Sequence, residues 1–336
     1  MAPDFQKHLL SCFNNKKIVV TGASGYIGSK LVSAIQDADS LICRMSRDKR
    51  TLPIIKESSA RIMDYEGSIQ ERRFWEKVLP ESDIVFHLSG QTNLNYAQEN
   101  VIEDWNANVL PMQQLLECCR QIKLTPSIVF SGTATQVGLT SKLPVNESVT
   151  DLPITIYDLH KLNAEDYLKS YSAQAFVNGV SLRLTNVYGP GTASMNKNRG
   201  IINQMAVKAL IGNNLTVYGE GKYIRDYVFI DDVVSAFLNA IQFMSKLKSR
   251  HFLVGSGQGV SISDAISSVA ENAQKITGRA VALDYVPEPL LLHPIERRNF
   301  IADISAFREN TQWFPATEFE NGLGKTVKYT FENMGI

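Results

Sequence analysis

Short runs of consecutive apolar residues recur through the first half of the chain, and each gives way to a stretch with helical spacing. Ile18, Val19 and Val20 open the series. Further runs at 40–46, 61–64, 83–88 (Asp-Ile-Val-Phe-His-Leu), 127–131 and 177–184 predict five more strands. Between them apolar residues return every three or four positions. Ile27, Leu31 and Ile35 mark a first helix, Val109, Leu115 and Leu116 a long one over 101–121, and a third is predicted over 157–171. Strands that are apolar throughout, instead of alternating with polar residues, are buried on both faces. The pattern therefore predicts an α/β fold, a parallel sheet with helices on either side.

From about Tyr188 the regular alternation ends. Gly and Pro cluster at 189–191, a polar loop runs to Gly200, and a helix near 201–211 and short strands near 215–218 and 252–254 follow. Tyr227 and Phe229 alternate as strand residues do and read as packing. Ligands of open parallel sheets bind beyond the carboxyl ends of the strands. This second region is therefore expected to cap that edge and to supply the substrate's contacts. No internal repeat, low-complexity tract or linker is visible.

The first strand breaks into Gly22, Gly25 and Gly28, with Ser24, Tyr26 and Ile27 between them, and then enters the first helix. Strand, glycine turn and helix in that order suit a dinucleotide. Residues without a Cβ let backbone N–H groups approach a pyrophosphate, and the helix presents its positive end to it.

Composition narrows the class. The 336 residues carry 34 basic and 34 acidic side chains, a balance that argues against a nucleic-acid or membrane-surface protein. No apolar run approaches the roughly eighteen residues of a membrane span. The first fifteen residues show no secretory pattern, so a cytoplasmic location is expected. Phe5, Leu9, Leu10 and Phe13 could form a short docking helix. Cys12, Cys43, Cys118 and Cys119 lack metal or redox spacing and read as reduced thiols; the five histidines are scattered, so no metal site is expected.

Tyr157 and Lys161, four residues apart on a predicted helix, share one face. A free tyrosine, with a pKa of about 10, is a poor base near neutrality. A neighbouring ammonium favours the phenolate, which makes the pair a proton relay for interconverting an alcohol and a ketone. Tyr-x-x-x-Lys is short, and an exposed Tyr and Lys on a helix surface is the plain alternative.

Several motifs in order supply more. The glycine turn, Ser131-Gly132-Thr133, Tyr157-Asp158-Leu159-His160-Lys161, Leu182 to Gly191, Arg225 to Val233, and Ala302-Asp303-Ile304 before Trp313-Phe314-Pro315 resemble the extended short-chain dehydrogenase/reductase family. That family comprises nucleotide-sugar epimerases, dehydratases and ketoreductases, and the resemblance covers about residues 16 to 330. It implies a Rossmann-type doubly wound sheet over 16–187, with segments near 225–255 returning to it, and a discontinuous substrate-binding region within 188–330. It implies Tyr157 as general acid/base, Lys161 as the partner that also holds the nicotinamide ribose, and Thr133 as the hydroxyl on the reacting oxygen. It places Asp64 at the adenine, Asn108 behind the lysine, and Leu88, Ser89, Gly90 and Val187 along the cofactor. Gln91, Asn186, Arg199, Arg225 and His293 fall around the substrate, with Asn186 and Arg225 on its diphosphate. A homodimer built through two long helices per subunit is expected by analogy.

Two departures shape the expectations. His293 stands where relatives often carry an arginine, with Arg297 and Arg298 close behind. Ser46 ends the second strand where NAD-selective relatives place an acid, between Arg44 and Arg47. Arginines there could pair with a 2′-phosphate, so NADP(H) is the favoured cofactor and NAD(H) the alternative. Relatives that dehydrate, decarboxylate or 3,5-epimerise carry a carboxylate or a cysteine around this threonine, whereas Thr133 is followed by Ala134, Thr135 and Gln136, so the resemblance disfavours those reactions. Hydride transfer at C4 remains. The expectation is a nucleotide-sugar 4-ketoreductase, with a 4-epimerase holding NAD tightly as the alternative and a nonenzymatic NADP(H) sensor a distant third.

Overall fold

The computed structural model describes residues 9–191, 200–290 and 292–334. Arg199 and Phe5 lie outside the described residues. The strands run β1 (Lys17–Thr21), β2 (Leu41–Ser46), β3 (Arg61–Glu66), β4 (Ile84–His87), β5 (Ser127–Thr133), β6 (Asn178–Leu184), β7 (Asn186–Tyr188), β8 (Leu215–Tyr218), β9 (Ile224–Phe229), β10 (Arg250–Val254), β11 (Gly259–Ser261) and β12 (Leu283–Val286). Seven of them form one sheet in the order β10-β6-β5-β4-β1-β2-β3, with every pairing parallel. The order reverses between β1 and β4, and the crevice at that reversal is where such sheets take ligands.

Successive side chains of a strand point to opposite faces, and the core divides accordingly. Ile18, Val20, Phe86 and Val129 pack against the helices Tyr26–Ile35 and Ile230–Gln242, joined by Leu9 and Phe13 of the first described turn. Val19, Val85, Ile128 and Phe130 pack on the other face against Arg72–Val78, Leu110–Ile122 and Ile156–Ala173. Phe237 is fully buried; removing such a ring from a core costs about 3–5 kcal/mol.

The predicted helix over 101–121 is two helices, Val101–Asn108 and Leu110–Ile122, broken at Val109. Pro111 explains the break. It has no N–H to donate and its ring crowds the carbonyl four residues back, so it sits in the first turn of a new helix. A further short helix, Leu94–Glu99, precedes them, capped by the Asn93 side chain accepting from the Tyr96 N–H at 3.0 Å.

After β6 the chain builds a second core. A small sheet, β11-β9-β7, and the β12-β8 pair pack with helices Ile201–Leu210, Ile262–Thr277 and Phe319–Asn333 around Leu215, Val217, Phe229 and Leu323. Helix Ile230–Gln242 and β10 return to the large sheet. This second body stands beside the carboxyl ends of β5 and β6 and forms one wall of the cavity there.

Candidate active site

The glycine turn is set by close approach. Gly22 has φ +66°, and a Cβ there would lie 3.0 Å from the Ser89 nitrogen; one on Gly28 would lie 2.2 Å from the Gly22 oxygen. The Thr21 hydroxyl oxygen accepts from the N–H groups of Leu88 (3.0 Å) and Ser89 (3.1 Å). With both lone pairs used, its own hydrogen goes to His87 Nδ1 at 3.1 Å. Burial, with the Lys161 charge adding to it, pushes His87 down to about 3, so it stays neutral in this role.

Helix Tyr26–Ile35 begins at Gly25 with no side-chain cap and no acid in its first turn. Its first N–H groups are left for the cleft beside them, a cavity of about 770 Å³. Gly22, Ser24, Gly25, Tyr26, Ile27, Gly28, Ser46, Arg47, Leu88, Ser89, Gly90 and Gln91 all line it. An uncapped helix start beside a turn that only glycines can form fits a dinucleotide pyrophosphate.

This cleft shares Tyr26, Ile27, Thr92 and Ser131 with a second cavity of about 280 Å³. Thr133, Tyr157, Asn186 and Val187 line the second one. Two residues remote in sequence, one at the end of β5 and one in the first turn of helix Ile156–Ala173, thus face one space.

Lys161 lies behind them, buried, its Nζ 4.0 Å from the centre of the Phe130 ring. Burial lowers its pKa to about 7, against the opposing pull of the Glu165 and Asp104 carboxylates. Asn108, expected behind this lysine, instead braces the turn that lines the cleft. Its Nδ2 donates to the Gln91 carbonyl and to Asp104 Oδ1, both at 3.1 Å, and its Oδ1 has no hydrogen-bond partner. Gln91 itself donates to Asp104 at 2.7 Å, and Asp104 Oδ2 meets His160 Nδ1 at 2.7 Å.

The polar residues at the edge of β2 stand differently from the expectation. Arg44 makes a two-pronged pair with Asp64, Nε to Oδ1 at 2.7 Å and Nη2 to Oδ2 at 2.8 Å, and gives Nη1 to the Pro53 carbonyl at 2.7 Å. The arginine expected on a 2′-phosphate and the aspartate expected on adenine are paired with each other. Ser46 is tied into the following turn through the Asp48 carbonyl (2.9 Å) and Thr51 Oγ1 (3.1 Å). Arg47 alone of the two arginines lines the cleft.

On the substrate side, Arg225 is buried, and its guanidinium donates to the carbonyls of Ile224 (3.2 Å), Glu296 (2.7 Å) and Arg298. It holds the 296–298 turn to β9 instead of presenting a free fork. Burial and the Arg298 charge lower its pKa to about 10. His293 Nδ1 accepts from the Ile295 N–H at 3.2 Å and caps the tight turn Pro294–Arg297. Asn186 lines the cavity while donating to the Asp226 carbonyl at 3.0 Å.

Two clusters escape a reading of the sequence. Thr133 Oγ1 lies 2.8 Å from Thr135 Oγ1, and Thr135 donates in turn to the buried Asp158 carboxylate. Behind the lysine, Glu165 accepts from Arg183, Ser181 and Gln136, and the Gln136 Oε1 accepts from the Thr133 N–H at 2.9 Å. Asp158 hides inside the Tyr-x-x-x-Lys spacer; Glu165, one turn beyond Lys161, had the helical spacing that could have revealed it.

Residues 18–255 match the model of the NAD dependent epimerase/dehydratase family. The chain belongs to that family. It is an enzyme of the extended short-chain dehydrogenase/reductase type on a Rossmann-type sheet. Among relatives of this family member, CDP-paratose 2-epimerase of Salmonella typhi is 26% identical over 94% of this chain and 99% of its own. UDP-glucuronate 4-epimerase 2 of Arabidopsis thaliana is 25% identical over 94% of this chain and 76% of its own. The solved UDP-glucose 4-epimerase of Thermotoga maritima, in complex with UDP-glucose, superposes with a TM-score of 0.83 at 27% identity, covering 95% of this chain and 99% of that one.

Proposed function

We propose that the protein is a nucleotide-sugar 4-epimerase that keeps NAD bound through the cycle. The observation that carries this reading is the cavity shared by Thr133 and Tyr157, opening directly onto the glycine-lined cleft. Relatives with epimerase names and a family described as NAD dependent support it. They back the epimerase better than the NADP(H)-dependent ketoreductase that ranks first from sequence. The Arg44–Asp64 pair agrees with that, because it removes one of the two cations on which the NADP preference rested.

The glycine turn and the helix start at Tyr26 would hold the pyrophosphate, and Leu88, Ser89 and Gly90 the adjoining ribose and nicotinamide. When bound, the dinucleotide supplies a reversible hydride acceptor. Tyr157 takes the proton of the sugar hydroxyl and later returns it, and Thr133 bonds the same oxygen. Lys161, at i+4 from Tyr157, shares that face of the helix, and its protonated form favours the phenolate. The second body encloses the sugar and lets it present either face. We assign residues 16–187, with β10 and the helix before it, to the cofactor, and the rest of 188–330 to the substrate.

A homodimer and a cytoplasmic location go with this reading. Val101, Ile102, Leu159 and Tyr167 are exposed on the adjoining helices Val101–Asn108 and Ile156–Ala173, and Cys43, Cys118 and Cys119 are buried thiols that suit a reducing compartment. Incubating the purified protein with UDP-glucose or UDP-glucuronate and following the anomeric proton signals tests the activity. Appearance of the C4 epimer without added reductant is expected, and Tyr157→Phe should slow it at least about 100-fold. Net consumption of NADPH with a 4-keto sugar, and no epimerisation, would favour the ketoreductase.

A further inference from the structure

Asp158 sits between Tyr157 and Lys161 in the sequence, with its side chain fully buried. One of its oxygens has an ordinary explanation. Oδ2 accepts from the Thr155 hydroxyl at 2.7 Å while the Asp158 N–H donates to Thr155 Oγ1 at 3.0 Å, which closes the start of the helix. The other oxygen does not belong to the cap. Oδ1 accepts from Thr135 Oγ1, across a gap of 23 residues, and Thr135 lies 2.8 Å from Thr133 Oγ1.

An ionised carboxylate can only accept. Thr135 has a single hydroxyl hydrogen, and it goes to Asp158. The short contact between the two threonines must therefore carry the Thr133 hydrogen toward Thr135. The Thr135 N–H also points at Thr133 Oγ1, at 3.4 Å. One lone pair of Thr133 is then left for the cavity, and its hydrogen is not.

We propose that Asp158, acting through Thr135, fixes the direction of the Thr133 hydroxyl so that it accepts, and does not donate, a hydrogen bond in the cavity. This rests on the epimerase reading. A sugar in its alcohol form has one hydroxyl hydrogen, which it gives to that lone pair until Tyr157 takes it, whereas the ketone offers only an acceptor. Thr133 then grips the alcohol and loosens its hold once the ketone forms, and turning the sugar over requires that release. Asp158 and Thr135 are positioning residues.

The test is binding selectivity, measured by titration calorimetry on the NAD-loaded Tyr157→Phe protein, where turnover is suppressed. The probes are UDP-glucose and UDP-4-deoxy-4-fluoroglucose, whose fluorine can only accept. The parent should prefer the hydroxyl probe about tenfold, the worth of one good hydrogen bond. Thr135→Ser should keep that preference and Thr135→Val should bring it within about twofold, since Thr133 can then rotate to donate. Asp158→Asn can still accept from Thr155 through its Oδ1 while its amide donates to Thr135, so it should level or reverse the preference. A merely structural role would weaken both probes alike. If Thr135→Val and Asp158→Asn both keep the parent's preference, or the parent shows none, the proposal is wrong. Should Thr135→Val fail to fold, Asp158→Asn alone decides. Failure of either probe to bind the parent at all would instead contradict the nucleotide-sugar reading.

Discussion

Glu165 and Arg183 meet in the interior through two hydrogen bonds, Nη2 to Oε1 at 2.6 Å and Nε to Oε2 at 3.0 Å, with neither side chain more than 1% exposed. Asp151 holds the far side of the same guanidinium at 2.6 and 2.7 Å. Burial alone would push the Glu165 carboxyl up, but the Arg183 hydrogen bonds and charge, with help from Lys169 and His251, hold it well below the usual carboxylate range. The pair joins β6 to the helix that carries Tyr157 and Lys161, and through Gln136 it also fixes the backbone of Thr133.

Removing Arg183 leaves the buried Glu165 with Lys169 at 2.5 Å and His251 at 3.4 Å, so the cost is about 3 kcal/mol, the low end for a broken buried pair. Arg183→Met should lower the unfolding free energy by that much in urea titrations, and the double variant Glu165→Gln/Arg183→Met should recover part of it. A loss under about 1 kcal/mol for the single variant would show that the network relaxes around the gap.

Lys161 makes stability depend on pH in a fixed direction. Its folded pKa is about 7 and its ordinary value 10.5. Between those values the unfolded chain binds a proton that the native protein does not, so stability rises with pH across that window. Below about 7 the cost of burying the charge is present in full. Lys161→Met removes that cost, so the variant should be the more stable protein at pH 7, with the difference shrinking toward pH 10 by up to about 1.4 kcal/mol per pH unit. Denaturant melts at the two pH values check this; a variant less stable at pH 7 with an unchanged pH slope would contradict it.

Gly28 faces the Gly22 carbonyl so closely that an added Cβ would lie 2.2 Å from it. Gly28→Ala must push the turn and the helix start apart. Cofactor binding, followed by the rise in melting temperature on adding NAD, should be lost, and stability should drop by about 1–3 kcal/mol from overpacking. Retention of the NAD-induced rise would mean that the pyrophosphate lies elsewhere.

The sheet was legible because five of its first six strands are mostly buried apolar runs, with β3 exposed at the edge, and Gly22, Gly25 and Gly28 mark where the first one turns. Helix 101–121 misled because its apolar periodicity runs straight through Pro111, whose backbone chemistry overrides the pattern. Thr133, Tyr157 and Asn186 could be named from their motifs, and they line one cavity. Arg225 and Arg44 were harder. A sequence shows an arginine but not whether its donors are already occupied, and here backbone carbonyls and Asp64 occupy them. Asp158 illustrates the same limit from the other side: its tie to Thr135 spans 23 residues and exists only because helix Ile156–Ala173 packs against the end of β5.

The epimerase reading requires that the hydrogen removed from C4 be returned to the same molecule. Incubating the NAD-loaded enzyme with UDP-glucose carrying deuterium at C4, in ordinary water, tests this by NMR and mass spectrometry of the product. The account predicts C4-inverted sugar that keeps its deuterium, with no net change in the bound dinucleotide. Loss of the label to water, or release of reduced cofactor in step with a ketone product, would contradict it.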